Sequence, residues 1–222
     1  MSSYLITLRD DLWRTSSARY NAARRLKRKE LFSTISLAFF SALAIALAVI
    51  QQIYTAQIEA APGLSSYITA ISTLSGIFIL VISLMEWGSR NGSNADALYK
   101  NAQELNALRQ KICLQISKEQ ASSLPNWSVA TEHLRTYEQI QDRCDINHAP
   151  IDDGYFVSQH RNSPEFKAKQ ISDWDARRLS ALWHLSSIWY YLIFWSVMIV
   201  ALVPIVMMID FLSFLMCGGF VS

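Results

Sequence analysis

The sequence predicts an all-α membrane protein with an N-terminal amphipathic helix, a transmembrane hairpin, a cytosolic helical pair and a third, C-terminal transmembrane helix. Three apolar runs carry this prediction: 31–53, 67–86 and 188–209. Each is long enough to cross a bilayer, because about 20 helical residues span roughly 30 Å of hydrocarbon. Hydrophobic residues make up 51% of the chain and gather in these runs, whereas residues 88–187 have the composition of a soluble region.

The placement of charge predicts the topology. Residues 1–30 hold eight basic residues against three acidic ones, so the positive-inside rule keeps this end in the cytoplasm. The connector 54–66 has no Lys or Arg and is expected outside, and residues 88–187 return to the cytosol. A cleavable signal peptide is not expected, because the first apolar run begins only after residue 30 and a second follows it. The predicted segments are 1–30, 31–87, 88–187 and 188–222.

The first segment is predicted as one helix over residues 5–29 that continues into the first span. Leu and Ala recur in it at three- and four-residue steps without Gly or Pro. Five basic residues next to the span can extend toward anionic head groups. This membrane-surface basic cluster consists of Arg24, Arg25, Lys27, Arg28 and Lys29. It has no interleaved aromatic residues and no second basic face, so specific nucleic-acid binding is not expected.

The hairpin carries two candidate functional faces. Small residues spaced by four let helix backbones approach closely in lipid. On the first span this small-residue ridge consists of Ala38, Ala42 and Ala46. On the second span a hydroxyl face consists of Ser65, Thr69, Ser72, Gly76 and Ser83. The sequence leaves two interpretations of the hydroxyl face open: packing within the hairpin, and the wall of an oligomeric pore.

Two amphipathic helices are predicted after the hairpin. Ser93 or Asn94 is expected to cap the first of them, after a break at 91–94. A turn at 122–126 separates the two apolar stripes, which should pair with each other or with the N-terminal helix. His133 lies in the second stripe and is expected to be a semi-buried histidine rather than a ligand.

The stretch 147–156 is predicted to be a loop because Pro and Gly interrupt it, and the polar segment through residue 169 is expected to be irregular. Imidazole and carboxylate groups that could ligate a divalent metal gather in and near it. These residues are His148, Asp152, Asp153 and His160. Their spacing matches no established site, so neither a metal nor a cofactor is predicted.

A last helix is predicted to begin near Asp173 and to continue into the third apolar run. Aromatic residues at the start of that run are typical of a membrane interface. Pro204 would kink the span, and Asp210 marks its far boundary. The tail 211–222 is expected outside, although an interfacial or re-entrant course stays open.

The sequence does not predict an enzyme. It has no Gly-rich phosphate loop, Walker lysine, nucleophile elbow or His-Glu-x-x-His motif. The spans hold no ionisable residue away from their ends, which disfavours proton relays and coupled transport. The cysteines Cys113, Cys144 and Cys217 show no paired spacing and are predicted to be buried thiols.

One combination of segments is distinctive. The stretch WRTSSARYNAARRL, residues 13–26, leads directly into the two-span hairpin. The helical pair after it ends in a pattern of Tyr137, Asn147, His148, Pro150 and Asp152. Over roughly residues 5–170 this resembles the SLATT family, two-transmembrane effector domains found beside bacterial nucleotide second-messenger systems. The third apolar run departs from that two-span pattern.

The resemblance implies a place in the bacterial inner membrane and a role in antiphage defence. In that family the hairpin is thought to form a pore or disrupt the membrane, ending in abortive infection. A soluble sensor, nucleotidyltransferase or reverse transcriptase encoded nearby would be the trigger. We therefore expect a homo-oligomeric effector in the lipid bilayer. The alternative is a non-pore membrane scaffold or sensor that recruits a soluble partner through its cytosolic helices.

Overall fold

A computed structural model describes the backbone of residues 2–122 and 127–218, and every regular element within these residues is a helix. The predicted all-α fold class is therefore confirmed. The helices are α1 (Ser2–Ile53), α2 (Thr55–Ala60), α3 (Leu64–Ser89), α4 (Asn91–Ser122), α5 (Trp127–Asp142), α6 (Pro150–Gln159), α7 (Asp173–Leu185) and α8 (Trp189–Gly218), with a 3-10 turn at Lys167–Lys169. Most of the predicted turn at 122–126, the side chain of Asp210 and residues 219–222 lie outside the described part.

The chain divides into two compact units. We call residues 1–29 with 90–187 the polar unit, and residues 30–89 with 188–222 the apolar unit. Helix α1 is continuous across the boundary at residue 30, as the sequence predicts. No glycine or proline interrupts it, so the backbone hydrogen bonds of one helix continue from the polar unit into the apolar unit.

The polar unit packs the first part of α1 against α4 and α5. Its main core consists of Leu5, Leu8, Leu12, Leu105, Leu108, Ile112, Ile116, Ala130 and Ile140. The Asn101 amide on α4 donates to the Ile140 carbonyl oxygen on α5 at 2.5 Å, and Arg143 after α5 bonds Glu104 on α4 at 3.3 Å. Only four residues connect the end of α4 to the start of α5, and the Asn101–Ile140 contact lies far from this connection on both helices, so the two helices run antiparallel. The predicted helical pair thus packs both on itself and on the N-terminal helix.

The apolar unit packs the rest of α1 against α3 and α8, and all three helices are long and apolar enough to cross a membrane. Phe40 of α1 is fully buried between the rings of Phe78 on α3 and Trp195 on α8, with centroid distances of 5.6 and 5.9 Å. The Trp195 indole also donates to the Ser36 hydroxyl at 2.9 Å. The third apolar helix is therefore part of the same core as the hairpin.

The break between α3 and α4 lies earlier than predicted. It falls at Arg90, which adopts the left-handed region with φ 49°, and α4 begins at Asn91. Ser93 and Asn94 therefore lie inside the helix and do not cap it. Ala95 and Leu98 of this first stretch are buried, so packing of the helix overrides the turn preference of its Asn, Gly and Ser residues.

Two other boundaries differ from the prediction. The connector 54–66 contains the short helix α2, and α3 begins at Leu64, after Gly63 at φ 81°. The helix from Asp173 does not continue into the third run, because α7 ends at Leu185 and α8 begins at Trp189. In the gap, the hydroxyls of Ser186 and Ser187 bond carbonyl oxygens three residues earlier, both at 2.8 Å, and such local bonds compete with helix continuation.

The loop predicted over 147–156 is confirmed for residues 147–149 and wrong from residue 150 onward, because residues 150–159 form α6. Pro150 occupies the first position of the helix, where its missing N–H costs nothing. The Asp152 carboxylate accepts a hydrogen bond from the Ala149 backbone N–H at 3.0 Å, as the acidic residue of a capping box does. The proline that indicated a loop is in fact a helix start signal.

Candidate functional site

The structure divides the hydroxyl face of α3 along its length. Thr69, Gly76 and Ser83 are exposed, whereas Ser65 and Ser72 are half-buried. A Cβ built on Gly76 would meet no atom within 4 Å. The face therefore runs along the edge of the packed surface, with one side turned inward and the other open.

A glutamine on α1 forms hydrogen bonds with hydroxyls at one end of this face. The Gln51 side-chain amide donates to the Ser65 hydroxyl at 3.1 Å and to the Thr69 hydroxyl at 3.2 Å. The Thr69 hydroxyl itself bonds the Ser65 carbonyl at 2.9 Å. At this end the hydroxyls thus join the two helices of the hairpin. Gln51 is not among the residues predicted for this face, although a long amide side chain at the end of an apolar run is a usable signal.

The open side includes two residues beyond the predicted hydroxyl face. Ser66 and Thr73 are exposed, and they line a shallow groove on α3 together with Thr69. Beyond Gly76 the exposed residues become mainly apolar, and Leu80 is 60% exposed. The open polar surface therefore covers the half of α3 from Ser66 to Gly76. Such a surface can border water only if further helices close around it.

The small-residue ridge faces away from the core of the apolar unit. Ala38, Ala42 and Ala46 are all exposed. Ile35 and Ile45, on the same side of α1, are exposed by 45% and 66%. This side of α1 is therefore available to lipid or to another copy of the chain.

The basic cluster does not act as one surface. Arg24 and Lys27 are exposed, and Lys27 lies 3.9 Å from the Asp96 carboxylate. Arg28 instead lies over the Trp183 ring, 4.7 Å from its centroid, and Arg25 is nearly buried in an ion pair. The expectation that all five residues face the membrane surface is wrong for these two, because they lie on the packed side of α1.

Arg25 pairs with a fully buried carboxylate. Both oxygens of Asp152 on α6 accept from Arg25, each at 2.9 Å. The Trp183 indole on α7 donates to the same carboxylate at 2.9 Å, and the Asn21 amide donates to the Asp152 carbonyl at 3.3 Å. Asp152 therefore connects α1, α6 and α7 through one anion. From the sequence, Asp152 is a candidate metal ligand and part of the family pattern, because nothing local reveals partners on two distant helices.

The neighbouring candidate ligands also have protein partners. Asp153 forms a two-bond ion pair with Arg14 at 2.7 and 2.5 Å, and the bonds from Arg14 hold the Asp153 pKa below its usual value. The His160 ring lies 3.0 Å from the Phe156 carbonyl oxygen. In the part of the chain that the structure describes, no three His, Cys, Asp or Glu residues are placed to hold a metal. His133 is half-buried on α5, and burial lowers its pKa.

Comparison with known proteins gives one result. A sequence model of the family described as SMODS and SLOG-associating 2TM effector domain family 5 matches residues 1–208. No curated protein and no solved structure matches the chain. The family description counts two transmembrane helices, and the matched region also contains most of α8. Because the match covers nearly the whole chain and confirms the resemblance seen in its sequence, the protein belongs to the SMODS and SLOG-associating 2TM effector domain family 5.

Proposed function

We propose that this protein is a membrane effector whose copies assemble so that the open face of α3 lines a conduit through the bilayer. The observation that supports this is the exposure of Thr69, Thr73 and Gly76 on an otherwise apolar helix. One protomer has too few helices to enclose a conduit, so several copies are required. The face carries hydroxyls and no charge, so we expect weak ion selectivity.

Incomplete coverage of the apolar helices supports assembly. In the most apolar window of each of the three helices, only 17–28% of the residues are buried within the protein. Lipid or further copies must cover the rest. The ridge Ala38, Ala42 and Ala46 permits close approach of a second helix, as small residues do in membranes.

We propose a topology with the polar unit in the cytosol of a bacterial cell, where a soluble trigger can reach it. Arg25 lies five residues before Glu30, where the apolar unit begins, and α1 is continuous between them. A trigger that moves α6 or α7 would act on the Arg25–Asp152 ion pair and hence on α1. The family description, which calls the domain an effector associated with SMODS and SLOG, supports a trigger that reaches it through an associated protein. We propose abortive infection as the outcome.

Thiol accessibility tests the conduit directly. In a chain whose three native cysteines are replaced by Ala, Gly76→Cys and Thr73→Cys should react with a membrane-impermeant thiol reagent in triggered cells. Val200→Cys is the matched control, since Val200 is 71% exposed on α8 but belongs to no polar face. Equal labelling of all three positions, or no labelling at positions 73 and 76 in triggered cells, would exclude the conduit.

Membrane potential separates the conduit from its alternative. Induced expression with a trigger should collapse the signal of a potential-sensitive dye, and Gly76→Asp should change that response in protein that still inserts. Thr34→Val, at an exposed threonine of α1 outside the hydroxyl face, should leave that response unchanged. Unchanged potential and growth with the inserted wild-type protein would count against a pore.

The alternative is a non-pore scaffold or sensor that recruits a soluble partner. It is favoured by large apolar side chains that the polar unit exposes: Leu114 by 58%, Trp127 by 62% and Trp174 by 67%. A scaffold would retain its partner in Gly76→Asp and lose it when these residues become Ser or Gln. Pull-down of the same partner with both sets of variants decides between the two functions.

A further inference from the structure

The polar unit has an open cleft of about 440 Å³ between the end of α6, the turn after it and one side of α7. This volume is within the range of known small-molecule sites. The lining side chains are small or polar: Gln159, Arg161, Asp173, Ala176, Arg177, Ser180, Ala181 and His184. None of these described residues has a large aromatic ring on which a nucleotide base could stack. The cleft therefore offers charge and hydrogen bonds but no platform for a base.

The side chains that line the cleft carry a net positive charge. Arg161 bonds the Asp173 carboxylate at 2.7 Å, so these two charges cancel. Arg177 is exposed and has no ion-pair partner among the described residues. At the other end of the cleft, Arg28 donates to His184 Nδ1 at 2.9 Å. A guanidinium can only donate, so the ring proton of His184 is on Nε2, which remains available as a donor.

Beside the cleft, α7 exposes two large apolar side chains. Leu182 is 44% exposed and Leu185 is 47% exposed. With 3.6 residues per turn, these leucines share one side of the helix with Arg178. The opposite side holds Ala176 and Trp183, which are buried. The outward side of α7 is therefore largely apolar, whereas a helix side that faces water is normally polar.

The chain limits how far this part of α7 can lie from the membrane. Leu185 ends α7, and Trp189 begins α8, which is apolar and long enough to cross a membrane. Four residues of chain reach at most about 14 Å even when fully extended. Arg28, which bonds His184, lies two residues before Glu30, where the apolar unit begins on the same continuous helix. Two separate segments thus tether the His184 end of the cleft to membrane-spanning helices.

We propose that α7 binds an anionic phospholipid at the membrane surface. Leu182 and Leu185 enter the boundary between head groups and acyl chains. The lipid phosphate lies in the cleft, where Arg177 and His184 donate to it. Amphipathic helices at membrane surfaces combine buried apolar area with attraction to anionic lipid in this way, whereas a soluble phosphate ion would leave both leucines in water. The site requires insertion in a membrane, but neither the conduit nor its trigger.

Lipid contact can be measured in the full-length protein, with its three native cysteines replaced by Ala, in nanodiscs. A nitrobenzoxadiazole label at Leu182→Cys should be quenched by doxyl-labelled phosphatidylcholine. Quenching should be stronger in discs of phosphatidylglycerol and phosphatidylcholine in equal amounts than in phosphatidylcholine alone. Leu114→Cys is the matched control and should stay unquenched, because Leu114 is 58% exposed but lies about 35 Å along α4 from the start of that helix.

Arg177→Gln tests the contact with the head group. In discs with increasing phosphatidylglycerol, this variant should need about fivefold more of the anionic lipid for half-maximal quenching at position 182. Arg135→Gln, at an exposed arginine on α5, makes the same change in charge and should need no more than the wild type. Both arginines are exposed, so both variants should fold.

The lipid surface is overturned if position 182 is unquenched in both kinds of disc, or if position 114 is quenched equally. Cross-linking between copies through position 182 without quenching would assign the leucines to a second copy and also overturn it. Equal quenching in the two kinds of disc, or an Arg177→Gln midpoint like that of the wild type, would overturn the role of anionic lipid. The same holds if inorganic phosphate produces the increase in phosphatidylcholine discs. The tests of the conduit do not depend on any of these outcomes, so either proposal can fail alone.

Discussion

The two units hold their helices together by different means. In the polar unit, three helices meet at the buried carboxylate of Asp152, which accepts from Arg25 and Trp183. In the apolar unit, aromatic rings surround Phe40, and neutral hydrogen bonds join the helices. One of these runs from the Tyr67 hydroxyl to the Ala201 carbonyl at 2.9 Å. One unit is thus organised by charge and the other by close packing and neutral bonds.

The solvent that each unit is built for explains this difference. Burial from water drives the leucine core of the polar unit, and buried ion pairs can then select one arrangement of its helices at a cost in desolvation. Between helices in lipid there is no comparable hydrophobic force, so packing and hydrogen bonds must drive association. Equivalent substitutions should therefore have unequal effects in the two units.

The largest effect is expected from Asp152→Asn. The substitution leaves the Arg25 guanidinium, whose side chain is only 12% exposed, buried without its counter-charge. Breaking a buried pair in this way costs about 3–5 kcal/mol. Hydrogen exchange of α1 and α6 in the detergent-solubilised protein should rise strongly, while exchange of α3 stays as in the wild type.

Asp173→Asn is the matched control for this change. Asp173 pairs with Arg161 at 2.7 Å, but its side chain is 77% exposed, so its loss should cost less than about 1 kcal/mol. Equal losses in the two variants would show that buried charge does not organise the polar unit.

A pair of phenylalanine substitutions compares the two cores. Phe156, 3% exposed, packs against Trp13 and Phe166 in the polar unit, so Phe156→Ala should cost about 3–5 kcal/mol of unfolding free energy. Phe40→Ala in the apolar unit should cost less, because lipid solvates the ring once the helices separate. Denaturation of each unit, monitored by hydrogen exchange of peptides from that unit, measures both losses of unfolding free energy. A larger loss of unfolding free energy from Phe40→Ala than from Phe156→Ala would contradict this expectation.

The spans and the continuous helix α1 could be predicted from sequence because they depend on local properties. Length, apolarity and the absence of Gly and Pro define a spanning helix without reference to the rest of the chain. The prediction failed where a local signal had two meanings. Pro150 marks a turn in many contexts and begins α6 here, and the Asn and Gly residues after Arg90 form the first turn of α4, whose other side is buried.

The contacts of the candidate sites could not be predicted for a different reason. Asp152 lies 127 residues from Arg25 and 31 from Trp183, and no periodic pattern connects the three. Arg25 belongs to a basic run that is typical of a membrane surface, and only the direction of its side chain separates it from Arg24. Likewise, the pairing of Gln51 with Thr69 depends on how the hairpin closes.

Removal of one indole N–H in each unit tests the same difference between the units, with smaller expected losses of stability. The Trp183 ring stacks on the Tyr155 ring with their centroids 4.3 Å apart. Trp183→Phe keeps an aromatic ring at this position but loses the bond to the buried Asp152 carboxylate. A bond to a charged group contributes about 1.5–3 kcal/mol. Trp195→Phe loses a neutral bond to Ser36, for which membrane proteins show about 0.6 kcal/mol on average. Similar losses from both substitutions would argue against a special role for the buried charge.

The smallest expected effect is a dependence of stability on pH that is confined to the polar unit. Burial lowers the pKa of His148 below its ordinary value near 6.5, so from that value downward the unfolded chain binds more protons than the folded one. Stability should therefore fall as pH drops below about 6.5, until the lower folded pKa is passed.

The pKa of His133 is shifted in the same direction, so His148→Gln should remove part of the dependence of stability on pH, and the double variant with His133→Gln should remove more of it. Hydrogen exchange at pH 5.5 and 7.5 should show the change in α5 and α6 but not in α3, whose span has no ionisable residue away from its ends. An equal response in α3 would mean that the two units do not differ in their use of charge.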